Sequence, residues 1–457
     1  MRLLSRMFAL VISVLIVLLN CGFAPTKQGH LEAPIVVTAA PAYEPLAALH
    51  GGERFPQGAQ LLLMRDSDVQ PLIAGFAATA DADVSYDASH VLFAGKQHAN
   101  DAWQVWELTL ADKSVRRVTG SESDAVRPLY LPGDRLVYAQ RTTHGFQMEA
   151  AMLDGSAVLP LTYFNGSAMP ANVLHDGRIL FESTYPMGDG TTPEMYLVYS
   201  DGSGVESYRC DHPAAHTIGR WGGRQLASGD VVFTHGSSLA KFMSPLAHET
   251  SVAAPSADYD GNIIEMADGT WLMSARSKAA HHYALMMLKP GAKLLQTVVT
   301  HDSEDVAQAV LLLSRAAPNR HPTALHDWTT ANLLALDARQ SRDGALASAP
   351  TSVRMEMRST DGTVVTVGTA PVEADGSFFV KVPGDRQIRF ALLDATGAVI
   401  RQERGWFWSR RGEQRICVGC HTGPEHAPEN NMPVVLTRST TPVDLGGAEH
   451  VSITGGH

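Results

Sequence analysis

The hydrophobic pattern along most of the chain is a repeat in which a short polar turn precedes an apolar strand. The turns carry Asp-Gly, Gly-Asp or a similar pair, and the strands are rich in Val, Leu, Phe and Tyr. Repeats begin at Tyr86, Leu131, His175, Ala227 and Ala267. Their spacing of about 40–50 residues is the period of a propeller or a solenoid. Asp-Gly pairs supply the positive backbone angles that tight hairpins need.

A four-stranded sheet cannot bury both of its faces alone. Radial stacking of such sheets buries these faces and leaves only short edges exposed. Together with the apolar runs at 61–64 and 310–313, the repeats predict an all-β propeller of about six blades over residues 57–318. We expect its first and last strands to share a closing blade. The repeats resemble those of TolB-like propellers, and they specify an architecture rather than a chemistry.

Two other regions have different patterns. Residues 21–56 hold five prolines among Ala and Gly, lack sustained periodicity, and are predicted to form a tether. Residues 319–411 alternate short strands with turns such as Asp361-Gly362 and Pro383-Gly384-Asp385. This second pattern predicts a small antiparallel β-sandwich. It contains no catalytic signature of a hydrolase, a metalloprotease or a phosphate loop.

Composition places the chain among folded globular proteins. Of its 457 residues, 45% are hydrophobic and 18% are charged. That length is enough for two or three domains with their own cores. The formal net charge of -11 argues against nucleic acid as a partner.

The N-terminus has the pattern of an export signal over residues 1–20. A basic head precedes an apolar run at residues 7–19, which is short for a transmembrane helix. The following Leu18-Leu19-Asn20-Cys21 resembles the lipobox of bacterial lipoproteins, in which the cysteine is acylated. Lipidation of Cys21 would anchor the protein without spanning the membrane. Gly22 would allow sorting to the outer membrane, facing the periplasm or the cell surface, whereas an ordinary signal peptide is the alternative.

The motif that carries chemistry lies in the C-terminal segment 412–457. Cys417-Val418-Gly419-Cys420-His421 reads C-x-x-C-H, the attachment signature of a c-type haem, with His421 as the axial iron ligand. A zinc site would need a second ligand pair at similar spacing, and no second C-x-x-C exists. A disulfide is the remaining alternative. Trp406, Phe407 and Trp408, just upstream, are expected either to pack against the porphyrin or to fill the sandwich core.

One of the cysteines has no role in the assignments made so far. Of the four cysteines, one is assigned to lipid and two to haem, so Cys210 has no assigned partner. Its loop also holds His212 and His216. One interpretation is a polar surface loop with an inert, half-buried thiol. The other is that Cys210, His212 and His216 face the haem and bind a second metal, such as zinc, or a substrate.

Several C-terminal stretches resemble proteins related to the hydrazine synthase alpha subunit. They are residues 369–383, 389–394, 412–421 and 427–430, so the resemblance is specific over about 369–430 and architectural elsewhere. It implies a propeller joined to a small β domain and a c-type haem. The resemblance also implies that, in hydrazine synthase, a Tyr after the motif binds the haem iron and the His of the motif binds zinc instead. No Tyr follows His421 here, so hydrazine chemistry is not supported.

The sixth iron ligand decides between functions. Met432 and His426 follow the motif and are candidates, and an empty position is the third option. Two strong ligands make an electron carrier, whereas an open site admits substrate. The sequence therefore predicts a mono-haem electron-transfer lipoprotein that uses its propeller to dock a periplasmic redox partner. The alternatives are an oxidoreductase with open iron near Cys210, and a non-redox binding propeller with a structural haem.

Overall fold

The computed structural model describes residues 23–25, 31–65, 68–184, 192–209, 219–321, 323–339, 344–359, 361–403, 405–418 and 431–445. Nearly all regular structure within these ranges is β-strand, and the α-helix found there has five residues. None of the helices in these ranges is long and apolar enough to cross a membrane.

The first part of the chain forms strands β1 to β26, and a 3-10 helix at Ala47–His50 lies between β2 and β3. In chain order these strands are β1 (Phe23–Pro25), β2 (Ile35–Ala40), β3 (Gln60–Arg65), β4 (Asp68–Pro71), β5 (Ala78–Val84), β6 (His90–Lys96), β7 (Gln104–Thr109), β8 (Val115–Arg117), β9 (Ala125–Leu131), β10 (Arg135–Thr142), β11 (Gly145–Met152), β12 (Leu159–Pro160), β13 (Ala168–Val173), β14 (Ile179–Ser183), β15 (Glu194–Val198), β16 (Glu206–Ser207), β17 (Arg220–Gln225), β18 (Val231–His235), β19 (Ser238–Phe242), β20 (Thr250–Ser251), β21 (Asp258–Tyr259), β22 (Ile264–Glu265), β23 (Trp271–Arg276), β24 (Ala284–Leu288), β25 (Gln296–His301) and β26 (Asp305–Leu311).

These strands lie in antiparallel sheets that we call blades 1 to 6, as far as the described ranges go. Blade 1 has the order β26-β2-β3-β4, and blades 2 to 5 take β5–β8, β9–β12, β13–β16 and β17–β20. Blade 6 has the order β21-β23-β24-β25-β1, and β22 also pairs with β23. The innermost strands β26, β5, β9, β13, β17 and β21 surround a central channel. The predicted all-β propeller is confirmed.

Blade 1 closes the ring, because it joins strands from both ends of the propeller. β26 pairs with β2, with Ala307 opposite Thr38, and β2 pairs with β3. The predicted closing blade is therefore present. However, β2 lies within residues 21–56, where the sequence predicted a tether. All six of its residues are buried, and its flanking prolines, Pro34 and Pro41, lie outside the strand, so proline density concealed a central strand.

The second domain packs two four-stranded sheets face to face. Its elements are β27 (Thr330–Ala335), β28 (Ser352–Arg358), β29 (Val364–Pro371), β30 (Phe378–Pro383), β31 (Gln387–Leu393), β32 (Val399–Gln402), β33 (Gln414–Cys417), α1 (Val434–Arg438) and β34 (Val443–Asp444). The sheets have the orders β33-β27-β30-β34 and β29-β28-β31-β32. Their shared core includes Leu333, Val353 and Val380. The predicted sandwich is thus observed, but β33 and β34 pair in parallel at the two edges of one sheet.

Candidate functional site

The first thiol of the haem motif ends an edge strand of the sandwich. Cys417 is the last residue of β33 and lies opposite Ala335 of β27. The side chain of Cys417 packs against the sandwich core, whereas Ile416 is 68% exposed and Val418 is 40% exposed. Because side chains alternate along a strand, the thiol and Ile416 project to opposite faces of the sheet. The half-buried thiol is therefore flanked by exposed aliphatic surface.

The outer face of the same sheet continues this apolar surface. Ile416 is opposite Leu334, and Leu334 is opposite Phe379 on the next strand. Leu334 and Phe379 are both half-buried. Cross-strand neighbours of this kind touch one another, so three apolar side chains form a row that ends beside the motif. The thiol of Cys417 projects to the other face, so the row borders the strand that carries the motif rather than the thiol itself.

The residues leading to Cys417 are fixed to the propeller. Trp408 is 1% exposed and inserts among apolar residues of blades 3 and 4, with its ring centroid 5.5 Å from that of Phe164. Its indole nitrogen donates to the carbonyl oxygen of Gly202 at 3.1 Å. The guanidinium of Arg415 donates to the carbonyl oxygens of Trp408 and Val205. The strand that carries Cys417 is thus held by both domains.

The aromatic triplet upstream of the motif packs within the protein. Trp408 fills the interface just described, and Phe407 packs against the sandwich core. Trp406 is 4% exposed and lies under the guanidinium of Arg389, 4.5 Å from the ring centroid. Of the two alternatives that the sequence left open, these contacts correspond to core filling.

Of the other predicted site residues, only Met432 falls within the described residues. It is 71% exposed and lies just before α1. No group of three or more His, Cys, Asp or Glu in the described ranges is arranged to hold a metal ion. The remaining predicted site residues lie outside the described residues: Cys21, Cys210, His212, His216, Cys420, His421 and His426.

The sequence analysis missed a second site, the central channel of the propeller. It holds a cavity of about 860 Å³. Asp81, Arg127, Arg224, Asp260 and Gln308 all line this cavity. Each of these residues lies within an innermost strand or directly after one. Clefts of this size that combine apolar walls with a few oriented polar groups are typical ligand sites.

Bulges in the innermost strands orient the channel residues. Asp81, Arg127 and Gln308 have φ values of 58°, 50° and 55°, and Gly222 and Gly261 have 69° and 74°. The strand register shifts at the bulges in β5, β9, β17 and β26. A non-glycine residue in this left-handed region costs about 1 kcal/mol or more. The bulge offsets that cost by turning a backbone N–H towards the adjacent blade.

Contacts of innermost-strand residues, and of Glu182 on β14, link blade 1 to blade 4 around the channel. The backbone nitrogen of Asp81 donates to Oε1 of Gln308 at 3.2 Å, and Nε2 of Gln308 donates to Oδ1 of Asp81 at 2.7 Å. The backbone nitrogen of Arg127 donates to Oδ2 of Asp81 at 3.0 Å. The guanidinium of Arg127 in turn donates to Oε2 of Glu182 at 3.2 Å. Each blade therefore binds the next through a carboxylate or an amide.

The circuit closes through blades 5 and 6. Glu182 accepts a hydrogen bond from the backbone nitrogen of Gly222 at 2.7 Å. Arg224 of blade 5 donates to Oδ1 of Asn262 of blade 6. Asp260 of blade 6 accepts from the backbone nitrogen of Gln308 of blade 1 at 2.9 Å. The ring of polar contacts passes through all six blades and makes the channel wall rigid.

The channel is closed at one end and bordered by the domain linker at the other. The connection between β2 and β3 buries Tyr43, Leu49 and Phe55 against the ends of several blades, and Tyr43 lines the cavity. At the opposite end, the linker residue Arg315 pairs with Asp83, 3.1 Å away, and its backbone nitrogen donates to the Tyr86 carbonyl. The cavity is thus a blind pocket whose mouth lies beside the linker.

Burial and neighbouring charges set the protonation of the channel residues. Burial opposes ionisation of Asp81, but its ion pair with Arg54 lowers the pKa of its carboxyl below the usual value. Burial raises the pKa of Asp260 to about 6, which hydrogen bonds from backbone N–H groups partly oppose. Burial and the nearby charge of Arg127 lower the pKa of Arg224 to about 10. Burial thus moves the pKa of Asp260 towards neutral pH, whereas the pKa of Arg224 stays well above it.

Residues 334–422 match the family described as the hydrazine synthase alpha subunit middle domain. Hydrazine synthase from Kuenenia stuttgartiensis is similar in structure, with a TM-score of 0.74 and 14% identity over 90% of this chain and 71% of that one. TolB from Acinetobacter baumannii has a TM-score of 0.44 and 12% identity over 62% of this chain and 67% of its own. No curated protein sequence matches the chain.

The matched stretch begins within β27 and includes β33 and the C-x-x-C-H motif. It overlaps most of the region whose sequence resembles proteins related to the hydrazine synthase alpha subunit. That resemblance is therefore confirmed. Residues 334–422 are thus similar to the hydrazine synthase alpha subunit middle domain, and the chain shares the fold of hydrazine synthase over most of its length.

Proposed function

We propose that this protein is an exported c-type cytochrome that carries one haem on Cys417 and Cys420 and transfers electrons. One observation supports this most: Cys417 ends a strand that both domains hold, beside exposed apolar surface at Ile416 and Val418. The residues present fit a porphyrin, because the thiol is held at the end of an edge strand and its neighbours along the chain, Ile416 and Val418, are exposed aliphatic side chains. When bound, the haem supplies one-electron chemistry.

The protein's own residues have distinct roles in this proposal. Cys417 and Cys420 would hold the porphyrin, His421 would bind the iron, and Met432 or His426 would be the sixth ligand. Arg415 keeps the strand against the propeller through its hydrogen bonds to Trp408 and Val205. The function of this support is to keep the iron at a constant distance from a docked partner.

Location and partner belong to the same proposal. A lipid on Cys21 would hold the protein at the outer membrane, facing the periplasm or the cell surface. The propeller would be the docking platform for a periplasmic redox partner. The net charge of -11 favours a partner with a basic surface.

The test is maturation of the full chain, with its own leader, in a bacterial host that has a cytochrome c maturation system. We expect one haem per chain, attached covalently, as measured by intact mass and by the pyridine haemochrome spectrum. Cys417→Ala and Cys420→Ala should abolish covalent double attachment, whereas Cys210→Ser should leave the haem content unchanged. Unmodified thiols or a disulfide at Cys417 and Cys420 in the mature protein would contradict the proposal.

Carbon monoxide distinguishes an electron carrier from an enzyme with open iron. If two strong ligands hold the iron, the spectrum of the reduced protein should not change when the gas is added. Met432→Ala and a substitution of His426 would then show which of the two residues is the sixth iron ligand. A carbon monoxide spectrum in the unaltered protein would contradict the electron-carrier proposal and favour the enzyme alternative.

A further inference from the structure

Two charged residues of the propeller channel, Arg224 and Asp260, form no ion pair with another residue that the structure describes. Three arginines around the channel form ion pairs with three carboxylates: Arg54 with Asp81, Arg127 with Glu182, and Arg315 with Asp83. Among the described residues, neither Arg224 nor Asp260 forms an ion pair, although both line the cavity. Glu32 and Glu265 also line the cavity without an ion pair, but Glu32 is exposed and Glu265 is only half-buried, whereas Asp260 is buried. Arg224 and Asp260 are therefore the cation and the buried anion of this cavity that lack a charged partner in contact.

Both of these residues are held by neutral groups, which fixes their orientation without neutralising them. The guanidinium of Arg224 donates to the carbonyl oxygen of Ala171 and to Oδ1 of Asn262. Asp260 is 5% exposed, and its two oxygens accept from the backbone nitrogens of Asn262 at 3.0 Å and Gln308 at 2.9 Å. Because the bulged backbone supplies these donors, the carboxylate cannot turn away from the channel.

Arg224 and Asp260 attract each other through the cavity without touching. Charges that lack a contact ion pair inside a protein are costly, so their presence in a cavity needs an explanation. A hydrophobic or amide side chain would fill either position without that cost. The two charges lie in adjacent blades, and Asn262, which binds both of them, lies between. A ligand with one positive and one negative group could bind both charges at once.

We propose that the channel binds a small zwitterion of the α-amino acid class, with its carboxylate on Arg224 and its ammonium group on Asp260. The guanidinium of Arg127 also lines the cavity, but its charge is paired with Glu182. Leu129, Val173 and Ile263 also line the cavity. They would contact an aliphatic or aromatic side chain of the ligand, which favours an apolar amino acid.

Two features support this assignment independently. The pKa of Asp260 is raised to about 6 by burial, so an ammonium ion, which favours the ionised carboxylate, relieves an existing cost. The cavity is closed on the side of Tyr43 and open beside the linker, so a small ligand can enter from one end. Neither feature depends on the haem.

The first experiment measures thermal stabilisation of the mature full-length protein by each of the common L-amino acids separately. At least one apolar amino acid should raise the Tm by about 2 °C or more, because a ligand that binds only the folded state stabilises it. The same amino acid with its amine acetylated, or with its carboxylate amidated, should bind at least about tenfold more weakly. No shift with any amino acid, or binding of either derivative as tight as that of the unmodified amino acid, would overturn the proposal.

The second experiment uses variants with matched controls. Arg224→Gln and Asp260→Asn should each weaken binding of that amino acid by about tenfold or more in calorimetric titration. Arg276→Gln and Asp258→Asn, which break an exposed ion pair of blade 6 outside the cavity, should leave it unchanged. Equal losses in the control variants would overturn the assignment. If a channel variant fails to fold, the derivatives tested on the unaltered protein decide the question.

Discussion

At the scale of single residues, the channel charges differ sharply in how they are compensated. The side chains of Arg54 and Asp81 are 4% and 3% exposed and form a bidentate ion pair. Asp81 also accepts from the side chain of Gln308 and from the backbone nitrogen of Arg127. Because the carboxylate of Asp81 is buried, removal of the Arg54 cation would leave an uncompensated charge inside the protein.

Arg54→Met should therefore destabilise the protein strongly, because it leaves a buried carboxylate without its cation. We expect a loss of about 3–5 kcal/mol in the free energy of unfolding, measured by chemical denaturation. The control is Arg276→Gln at the exposed pair with Asp258, where the loss should be about 1 kcal/mol or less. Similar losses in the two variants would contradict this account of the buried pair.

Glu403 should make stability depend on pH. Its carboxylate accepts from the backbone nitrogen of Phe390 at 3.0 Å, and burial raises its pKa to about 7. Because the folded pKa exceeds the unfolded one, the folded state binds the proton more tightly, and stability falls as pH rises towards 7. Glu403→Gln should stabilise the protein by about 2 kcal/mol at pH 8 and by little at pH 4.

The measurement is the difference in unfolding free energy between Glu403→Gln and the unaltered protein at several pH values. Glu122→Gln, at an exposed glutamate, is the control and should have little effect at any pH. A stabilisation by Glu403→Gln that is as large at pH 4 as at pH 8 would show that the raised pKa is not its cause.

At the scale of elements, the strand that carries Cys417 depends on a tight turn. Gly412, just before β33, has a φ of +76°, and a Cβ there would lie 1.8 Å from the carbonyl oxygen of His326. The backbone nitrogen of His326 also donates to the oxygen of Gly412 at 2.9 Å. The chain before β33 can approach β27 this closely only without a side chain at residue 412.

Gly412→Ala should therefore displace β33, whereas Gly397→Ala should not. Gly397 has a φ of +83° but no atom within 4 Å of its added Cβ, so it controls for the cost of the backbone angle alone. We expect Gly397→Ala to cost about 1 kcal/mol and Gly412→Ala clearly more. Gly412→Ala should also lower the fraction of chains that carry covalent haem, and equal effects of the two substitutions would contradict the role of the turn.

Elements with strong turns and sustained patterns could be predicted from the sequence, and short or irregular ones could not. The Asp-Gly turns identified most blades, because the positive angles they need leave a clear residue signature. The edge strands β33 and β34 have four and two residues and no alternating pattern. The channel site was missed because bulges break the two-residue period. Arg127 therefore looks like an isolated polar residue in an apolar strand, and Asp81 looks like one of several alternating polar residues in β5.

At the scale of the whole molecule, one aromatic side chain joins the two domains. Trp408 belongs to the sandwich chain but packs in the core between blades 3 and 4. Arg410 extends the same interface with a hydrogen bond to Tyr163 and an ion pair to Asp385 at 2.7 Å. A buried interface of this kind holds two domains in one orientation.

Trp408→Ala should uncouple the sandwich from the propeller. Removing a buried tryptophan costs about 3–5 kcal/mol at a well-packed site, and here the loss falls on the interface. Calorimetry should show two unfolding transitions instead of one, and proteases should cut the linker between β26 and β27 faster. The control is Trp328→Ala, where the side chain is 41% exposed. A single transition with an unchanged Tm in Trp408→Ala would contradict this role for the interface.

The closing blade has a consequence for biosynthesis. Thr38 of β2 and Gln308 of β26 hydrogen-bond across 270 positions of sequence, so the ring stays open while the first three hundred residues emerge from the ribosome or a secretion pore. Until then β2 presents an unpaired, apolar edge that invites aggregation and engages holding chaperones. The cysteines of the haem motif emerge only about a hundred residues after the closing strand. Porphyrin ligation would thus act on a chain whose ring has had time to close.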